Sequence, residues 1–226
     1  MTGIKAKTKI LIVEDHPVYR LGLKELILQE DDMDVCGDAE DAETAWRLLK
    51  KTEPDIIIVD LLLKNSNGID LIKDIKKLKV DIPVLVISML DEIQYAERAF
   101  AAGASGYIMK HEASGAIVNA IRAMIAGKRY MSEEINNILV DRAISGGTVH
   151  KLTGIESLTD REIEIFRLIG SGFATGKIAL QLRINVKTVG TYRERIKRKL
   201  GINSSASLVR EAMRWSSQFT GTDREV

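Results

Sequence analysis

Short apolar runs alternate with longer amphipathic stretches through the first half of the chain. Lys9-Ile10-Leu11-Ile12-Val13 runs into Glu14-Asp15, and Ile56-Ile57-Ile58-Val59 runs into Asp60-Leu61-Leu62. Residues 83–87 lead to Ser88, and residues 105–109 lead to Lys110. Residues 34–39 are a weaker candidate, with Val35 and Cys36 as inward positions. Unbroken apolar runs of this length read as strands buried on both faces. Between them apolar residues recur at helical spacing: Val18, Leu21 and Leu28; Ala42, Ala45, Leu48 and Leu49 within 41–51; Ile69, Ile72 and Ile75; Ile93, Ala96 and Phe100; and the stretch 113–125. Gly103 and Gly127 stand where helices would close. Lys64-Asn65-Ser66-Asn67-Gly68 is rich in turn formers. Strand then helix, five times over with short connections, predicts an α/β domain with a five-stranded, doubly wound parallel sheet.

The pattern then changes. Residues 131–155 keep weak helical spacing through Ile135, Ile138 and Leu139, broken by Ser145-Gly146-Gly147-Thr148, and read as a partly helical linker. Beyond it the strand pattern stops. Four helices fit 160–170, 175–182, 186–200 and 204–215, which predicts an all-α second domain. The boundaries are therefore 8–130, 131–155 and 156–220.

Charge divides the same way. Residues 153–226 carry 13 Lys+Arg against 8 Asp+Glu, a net +5, whereas residues 1–152 carry 20 against 24, a net −4. An acidic front and a basic rear imply different partners for each half. The single cysteine, Cys36, excludes a disulfide framework and a zinc site built on several thiolates. No apolar run approaches the roughly 20 residues of a membrane span, and residues 1–9 lack the apolar segment of a secretion signal. A cytoplasmic protein is the expectation.

In an open parallel sheet, ligands bind at the carboxyl ends of the strands. That edge collects Glu14, Asp15, Asp60, Ser88 and Lys110 from four separate strands. Three carboxylates held together repel one another and favour a divalent cation. Oxygen ligands with open positions suit Mg²⁺, which also binds phosphate oxygens. Asp60 is then placed to attack phosphorus and become an acyl phosphate, with Ser88 and Lys110 holding phosphoryl oxygens. A haloacid-dehalogenase-type phosphatase would need a second acid two residues after the nucleophile, where Leu62 stands. A dinucleotide site would need a Gly-rich turn after the first strand, where Glu14-Asp15-His16-Pro17 stands. His16, His111 and His150 have no ligand spacing, and the methionines read as packing.

Glu14-Asp15, Asp60, Asn67-Gly68, Ser88, Tyr107 and Lys110 together resemble the receiver domain of bacterial response regulators over residues 8–128. The resemblance implies a flavodoxin-like fold. It makes Asp60 the phosphoacceptor, and gives Mg²⁺ the ligands Glu14, Asp15, Asp60 and the Leu62 backbone carbonyl. Ser88 and Lys110 would bind the phosphoryl group, and Tyr107 would reorient with Ser88. Lys64 and His111 stand where many receivers have proline. Leu62 and Leu90 flank the site with no group to position an attacking water, so slow self-dephosphorylation is expected.

In the rear half, Thr159-Asp160-Arg161-Glu162 is a capping box, and Ile163, Phe166, Leu168 and Ile169 follow as core candidates. Arg183-Ile184-Asn185 is a tight turn, with Asn185 an N-cap. Over 186–200, Val186, Val189, Ile196 and Leu200 share one face, and Lys187, Thr191, Glu194, Arg195 and Arg198 share the other. Two short helices, a turn and a basic face describe a helix-turn-helix. Leu158-Thr159, Arg161-Glu162, Gly172, Ile178-Ala179, Leu182, Thr188-Val189 and Lys199-Leu200-Gly201 resemble the LuxR/NarL-type DNA-binding domain over 156–215. By that resemblance 186–199 is the recognition helix. Lys187, Thr188, Tyr192, Arg195 and Lys199 would meet phosphates or bases, and Thr191 and Glu194 base edges. Ala174-Thr175-Gly176-Lys177 departs from the family's Ser-Asn start, and Gly176 weakens that helix by about 1 kcal/mol. Gly190 replaces a long polar side chain frequent in the family.

Both resemblances imply a NarL/FixJ-class response regulator that is not an enzyme beyond handling its own phosphoryl group. A sensor histidine kinase would phosphorylate Asp60. The protein would then dimerise, with 204–215 a candidate contact, and bind double-stranded DNA to regulate transcription. The competing expectation is an interaction protein whose basic domain binds a protein partner or RNA. Salt dependence of duplex binding separates the two.

Overall fold

The computed structural model describes residues 7–63, 66–78, 81–90, 92–112, 114–144, 154–182 and 184–220. Lys64 and Asn65 of the turn after Asp60, the break at 145–148, His150 and Arg183 lie outside the described residues. So do the side chains of Ile93 and Leu139. The chain forms two compact units, Met1–Gly146 and Gly147–Val226.

The first unit alternates β1 (Thr8–Val13), α1 (Pro17–Leu28), β2 (Met33–Ala39), α2 (Ala42–Thr52), β3 (Ile56–Val59), α3 (Gly68–Lys77), β4 (Val84–Ser88), α4 (Glu92–Ala102), β5 (Gly106–Met109) and α5 (Ser114–Ile125). All strands are parallel, in the order β2-β1-β3-β4-β5. This is the doubly wound, flavodoxin-like sheet. Ile10, Ile12, Ile56, Ile58, Leu85, Ile87 and Ile108 pack on one face against Leu23 and Ile27 of α1 and Ile117 and Ile121 of α5. Strand alternation sends Leu11, Ile57, Val59 and Val86, also buried, to the opposite face.

Two expectations about the core need correction. Val18, Leu21 and Leu28 do recur at helical spacing in α1, but they are 74%, 59% and 46% exposed. Leu23 and Ile27 are the residues that face the sheet. The helix carries apolar residues around much of its circumference, so spacing alone selects no face. In β2 the ends Met33 and Ala39 are buried and Val35 packs partly buried against the core as expected, whereas Cys36 is only half-buried and does not join it. The register steps from Ile10↔Val35 to Leu11↔Gly37, which leaves Cys36 as the unpaired residue of a bulge on an edge strand.

After α5 the chain runs beside β5, with Tyr107 N–H donating to the Tyr130 carbonyl (2.9 Å) and Tyr130 N–H to the Ser105 carbonyl (3.1 Å). Helix α6 (Glu133–Ile144) then begins inside the stretch expected as linker. It packs on α4, buries Ile135, and is held by Ser132 N–H donating to Glu92 Oε1 (3.0 Å).

The second unit is a 3₁₀ turn (Gly154–Ser157) followed by α7 (Asp160–Gly170), α8 (Thr175–Gln181), α9 (Val186–Leu200) and α10 (Ser205–Thr220). Its core joins Ile163, Ile165, Phe166 and Ile169 of α7, Ile178 of α8, Val189 and Ile196 of α9, and Leu208 and Ala212 of α10. Trp215 packs on Phe166 with ring centroids 5.6 Å apart. The apolar face of α10 is thereby used inside the unit. Gly170 lets the helices meet, because a Cβ there would fall 2.3 Å from the Ala212 carbonyl oxygen.

Candidate functional site

β1 and β3 are neighbours, and the chain's path across the sheet reverses at β1 (β2 on one side, β3 on the other), which opens a crevice at their carboxyl ends. Glu14 and Asp60 are the residues that leave these two strands. Asp60 N–H donates to the Val13 carbonyl and Glu14 N–H to the Ala39 carbonyl, each at 2.9 Å, so both side chains start from fixed backbone. Lys110 leaves β5 with its N–H on the Ser88 carbonyl (2.9 Å).

Lys110 Nζ lies 2.6 Å from Glu14 Oε2 and 2.9 Å from Asp60 Oδ2. All three side chains are nearly sealed from solvent, at 8%, 1% and 4% exposure. Burial would lower the Lys110 pKa, but the charges of Asp60 and Glu14 outweigh it and keep the ammonium protonated. Burial, then the Asp60 charge, push the Glu14 carboxyl up to about 7 against the pull of Lys110. Carboxylate oxygens of Glu14, Asp15 and Asp60 all lie within 4.8 Å of one another. Glu14 Oε2 is buried with no aligned hydrogen bond, although the Lys110 ammonium is close. An all-oxygen cluster with more negative charge than its lysine balances fits a hard divalent cation.

The flanks are also set by local structure. Glu14 Oε1 accepts from His16 N–H (2.9 Å), and the Glu14 carbonyl accepts from Arg20 Nη1 (2.6 Å). Asp60 Oδ1 accepts from Leu62 N–H (3.0 Å). Asn67 caps α3 by accepting from Ile69 N–H (2.8 Å), and Gly68 N–H returns to the Leu61 carbonyl (3.1 Å). Gly68 has no substitute here, since a Cβ would lie 2.3 Å from the Asp60 carbonyl oxygen. Ser88 is fully buried, and its Oγ accepts from Leu90 N–H (3.3 Å). Tyr107 points inward, its hydroxyl donating to the Leu90 carbonyl (2.8 Å), and burial pushes that hydroxyl's pKa well up.

Glu14, Asp15, Asp60 and Lys110 are thus brought together at one crevice, with Ser88 and Tyr107 behind it. Tyr19, whose ring centroid is 4.6 Å from Lys110 Nζ, was not among the expected residues. Arg20 and the Leu90 carbonyl were missed too. No spacing in the sequence marks them, because each acts through a partner on another element.

In the second unit, Thr159 and Glu162 form the expected capping box. Asn185 caps α9, accepting from Lys187 N–H (2.8 Å). Ala174 at the start of α8 makes no side-chain cap, in line with the departure there. Lys187, Thr188, Thr191, Glu194 and Arg195 are exposed on α9, and Tyr192 is half-buried. Thr191 Oγ1 donates to the Lys187 carbonyl (3.1 Å), Glu194 pairs with Lys197 (2.9 Å), and Arg195 lies over the Tyr192 ring (5.8 Å). Val186 does not join the core face expected of it and is 52% exposed. Lys199, expected at DNA, is turned back into the unit. Its ammonium donates to Glu162 Oε2 (2.6 Å) and to the Ser157 carbonyl (2.8 Å). Glu162 is buried, and a buried carboxylate left without a cation would be costly, so the pairing with Lys199 compensates its charge.

Among the described residues no helix is long and apolar enough to cross a membrane.

Comparison with known proteins agrees with both halves. The model of the response regulator receiver domain matches residues 10–122, and that of bacterial regulatory proteins of the luxR family matches residues 156–212. A nitrate/nitrite response regulator protein homolog of Haemophilus influenzae is 31% identical over 88% of this chain and 92% of its own. The crystal structure of a LuxR-family two-component response regulator from Aurantimonas sp. is 34% identical, with a TM-score of 0.57 over 62% of this chain and 99% of that one. RcsB of Salmonella enterica, solved on promoter DNA with a phosphomimetic, shares the fold at 24% identity and a TM-score of 0.66, covering 92% of this chain and 98% of that one. The chain therefore belongs to the response regulators, as a receiver domain followed by a LuxR-type DNA-binding domain.

Proposed function

We propose that Asp60 accepts a phosphoryl group from a sensor histidine kinase, and that the modified protein dimerises and binds paired DNA half-sites to regulate transcription. The observation that carries this reading is the buried Asp60 carboxylate, 2.9 Å from Lys110 and within 4.8 Å of Glu14 and Asp15. Residues 8–130 act as the receiver and 156–220 as the DNA reader, joined by 131–155. The reading places the protein in the cytoplasm.

In the transfer, an Asp60 oxygen forms the new bond to phosphorus as the bond to the donor's imidazole nitrogen breaks. Glu14, Asp15, Asp60 and the Leu62 backbone carbonyl would hold Mg²⁺, which would supply charge neutralisation for phosphoryl oxygens. Lys110 is already protonated and exchanges a carboxylate partner for a phosphoryl oxygen. Ser88 gives up its bond from Leu90 N–H to turn its hydroxyl toward the same group, and Tyr107 fills the space behind it. The dianion thus draws the ends of β4 and β5 together, a local charge event with a distant readout.

In the DNA-binding domain, α9 enters a major groove with Lys187, Thr188, Tyr192 and Arg195 on the backbone or bases and Thr191 and Glu194 at base edges. The test is fluorescence anisotropy of a labelled promoter duplex over a salt series, with and without prior treatment with acetyl phosphate. Phosphorylation tightens binding, and replacing Lys187 and Arg195 by alanine flattens the salt slope by about 1 for each phosphate no longer neutralised. A slope unchanged by both replacements favours the interaction-protein reading instead.

A further inference from the structure

We propose that Tyr19 is a positioning residue for Lys110, its ring forming the wall that holds the ammonium against Asp60 and Glu14. The proposal rests on the reading of Asp60 as phosphoacceptor and adds a residue to that site.

Lys110 has carboxylates on one side, at 2.6 and 2.9 Å, and the Tyr19 ring on another, its centroid 4.6 Å from Nζ. That distance is inside the roughly 6 Å range of a cation–π contact, and such contacts strengthen when the cation is desolvated. The Lys110 side chain is only 8% exposed. A lysine stem has several rotatable bonds and no fixed direction of its own. Without a wall the ammonium would have room to swing away when one carboxylate is neutralised or replaced.

Tyr19 is itself well fixed. It lies in the first turn of α1, which opens with Pro17, and it packs against the core cluster beneath that helix. The next residue, Arg20, ties the helix to the site through Nη1 on the Glu14 carbonyl (2.6 Å) and to β2 through Nε on Asp38 (3.1 Å). The helix that carries the ring therefore keeps a set distance from the acidic turn. A groove of about 380 Å³ between α1 and the start of α5 is lined by His16, Val18, Tyr19, Lys110 and Ile117. The ring and the ammonium both line that groove. An aliphatic residue of similar bulk would keep the packing on the core but lose the negative π face.

The test compares wild type with Tyr19→Phe and Tyr19→Leu. Phosphorylation of the full chain by acetyl phosphate with Mg²⁺ is followed by intact mass over time, with Asp60→Asn as the blank. Thermal midpoints are recorded for each variant. In parallel, the Lys110 ε-methylene protons are observed by NMR, since a ring this close shifts them upfield. The expected result is a phosphorylation rate within twofold of wild type for Tyr19→Phe and a three- to tenfold drop for Tyr19→Leu, the range of a modest cation–π contact. The upfield shift persists in Tyr19→Phe and vanishes in Tyr19→Leu. Equal rates for Tyr19→Leu and wild type overturn the proposal. So does a rate loss in Tyr19→Phe matching that in Tyr19→Leu, which would make the contribution one of packing or of the hydroxyl. Wild type that gains no phosphoryl group, like the blank, removes the phosphoacceptor reading itself and the proposal with it.

Discussion

Lys199 reaches from the last turn of α9 to the carboxylate of Glu162 in the first turn of α7, with 2.6 Å between Nζ and Oε2. The same ammonium also donates to the Ser157 carbonyl, so one side chain ties α9 to α7 and to the 3₁₀ turn before α7. Glu162 is 2% exposed and is also the carboxylate of the capping box. Replacing Lys199 by methionine leaves that carboxylate buried without its cation and lowers stability by about 1–3 kcal/mol. Urea unfolding measures this. Unchanged stability with a reduced salt slope of DNA binding would return Lys199 to the DNA contacts.

The same pair sets a pH dependence. Burial would raise the Glu162 carboxyl, but the hydrogen bonds from Lys199 and Thr159 outweigh it and hold its pKa below the usual 4.5. A carboxyl with a depressed folded pKa contributes stability that is full above its unfolded value and is lost as pH falls through the folded one. Between neutrality and about pH 5 this pair's contribution is constant. Below 4.5 it declines in wild type and, in Lys199→Met, declines less. Melting curves of both proteins across that range check it, and parallel declines would contradict it.

Gly68 sits where the chain folds back beneath Asp60. A Cβ there would lie 2.3 Å from the Asp60 carbonyl oxygen and 2.6 Å from Leu61 Cα, both backbone atoms that cannot swing aside. Gly68→Ala must displace the turn that carries Asp60. The expected outcome is destabilisation by about 1–3 kcal/mol, as for overpacking, together with a phosphorylation rate reduced at least tenfold. A variant normal in both would mean that the turn relaxes freely.

Dephosphorylation is expected to be slow. Leu62 and Leu90 flank Asp60 and Ser88, Leu90 is 2% exposed, and neither side chain has a group to orient or deprotonate a water. Purified phosphoprotein should decay over many minutes or longer, followed by intact mass, and Leu62→Glu or Leu90→Gln should speed the decay. A wild-type half-life of seconds would contradict this.

Much of the site was legible because strand ends are legible. An unbroken run such as 56–59 has to be buried on both faces, so the first polar residue after it falls at the sheet edge. Four such residues, read in parallel, give the acidic crevice before any contact is known. Two helix starts of the second unit were legible from caps, Thr159 for α7 and Asn185 for α9. The faces of α1 were not, since Val18 and Leu21 follow the same spacing rule as Leu23 and Ile27. Nor were Tyr19 over Lys110, Glu92 on Ser132 or Glu162 with Lys199. These pairs join separate elements, and no periodicity along the chain records which elements will meet.

Asp60 as the phosphoacceptor is tested most directly by intact mass after incubation with acetyl phosphate, with and without Mg²⁺, on wild type and Asp60→Asn. One added phosphoryl group on wild type, dependent on Mg²⁺ and absent from Asp60→Asn, is the expected result. An adduct that survives in Asp60→Asn, or no adduct on wild type from acetyl phosphate or a phosphorylated kinase, would contradict it.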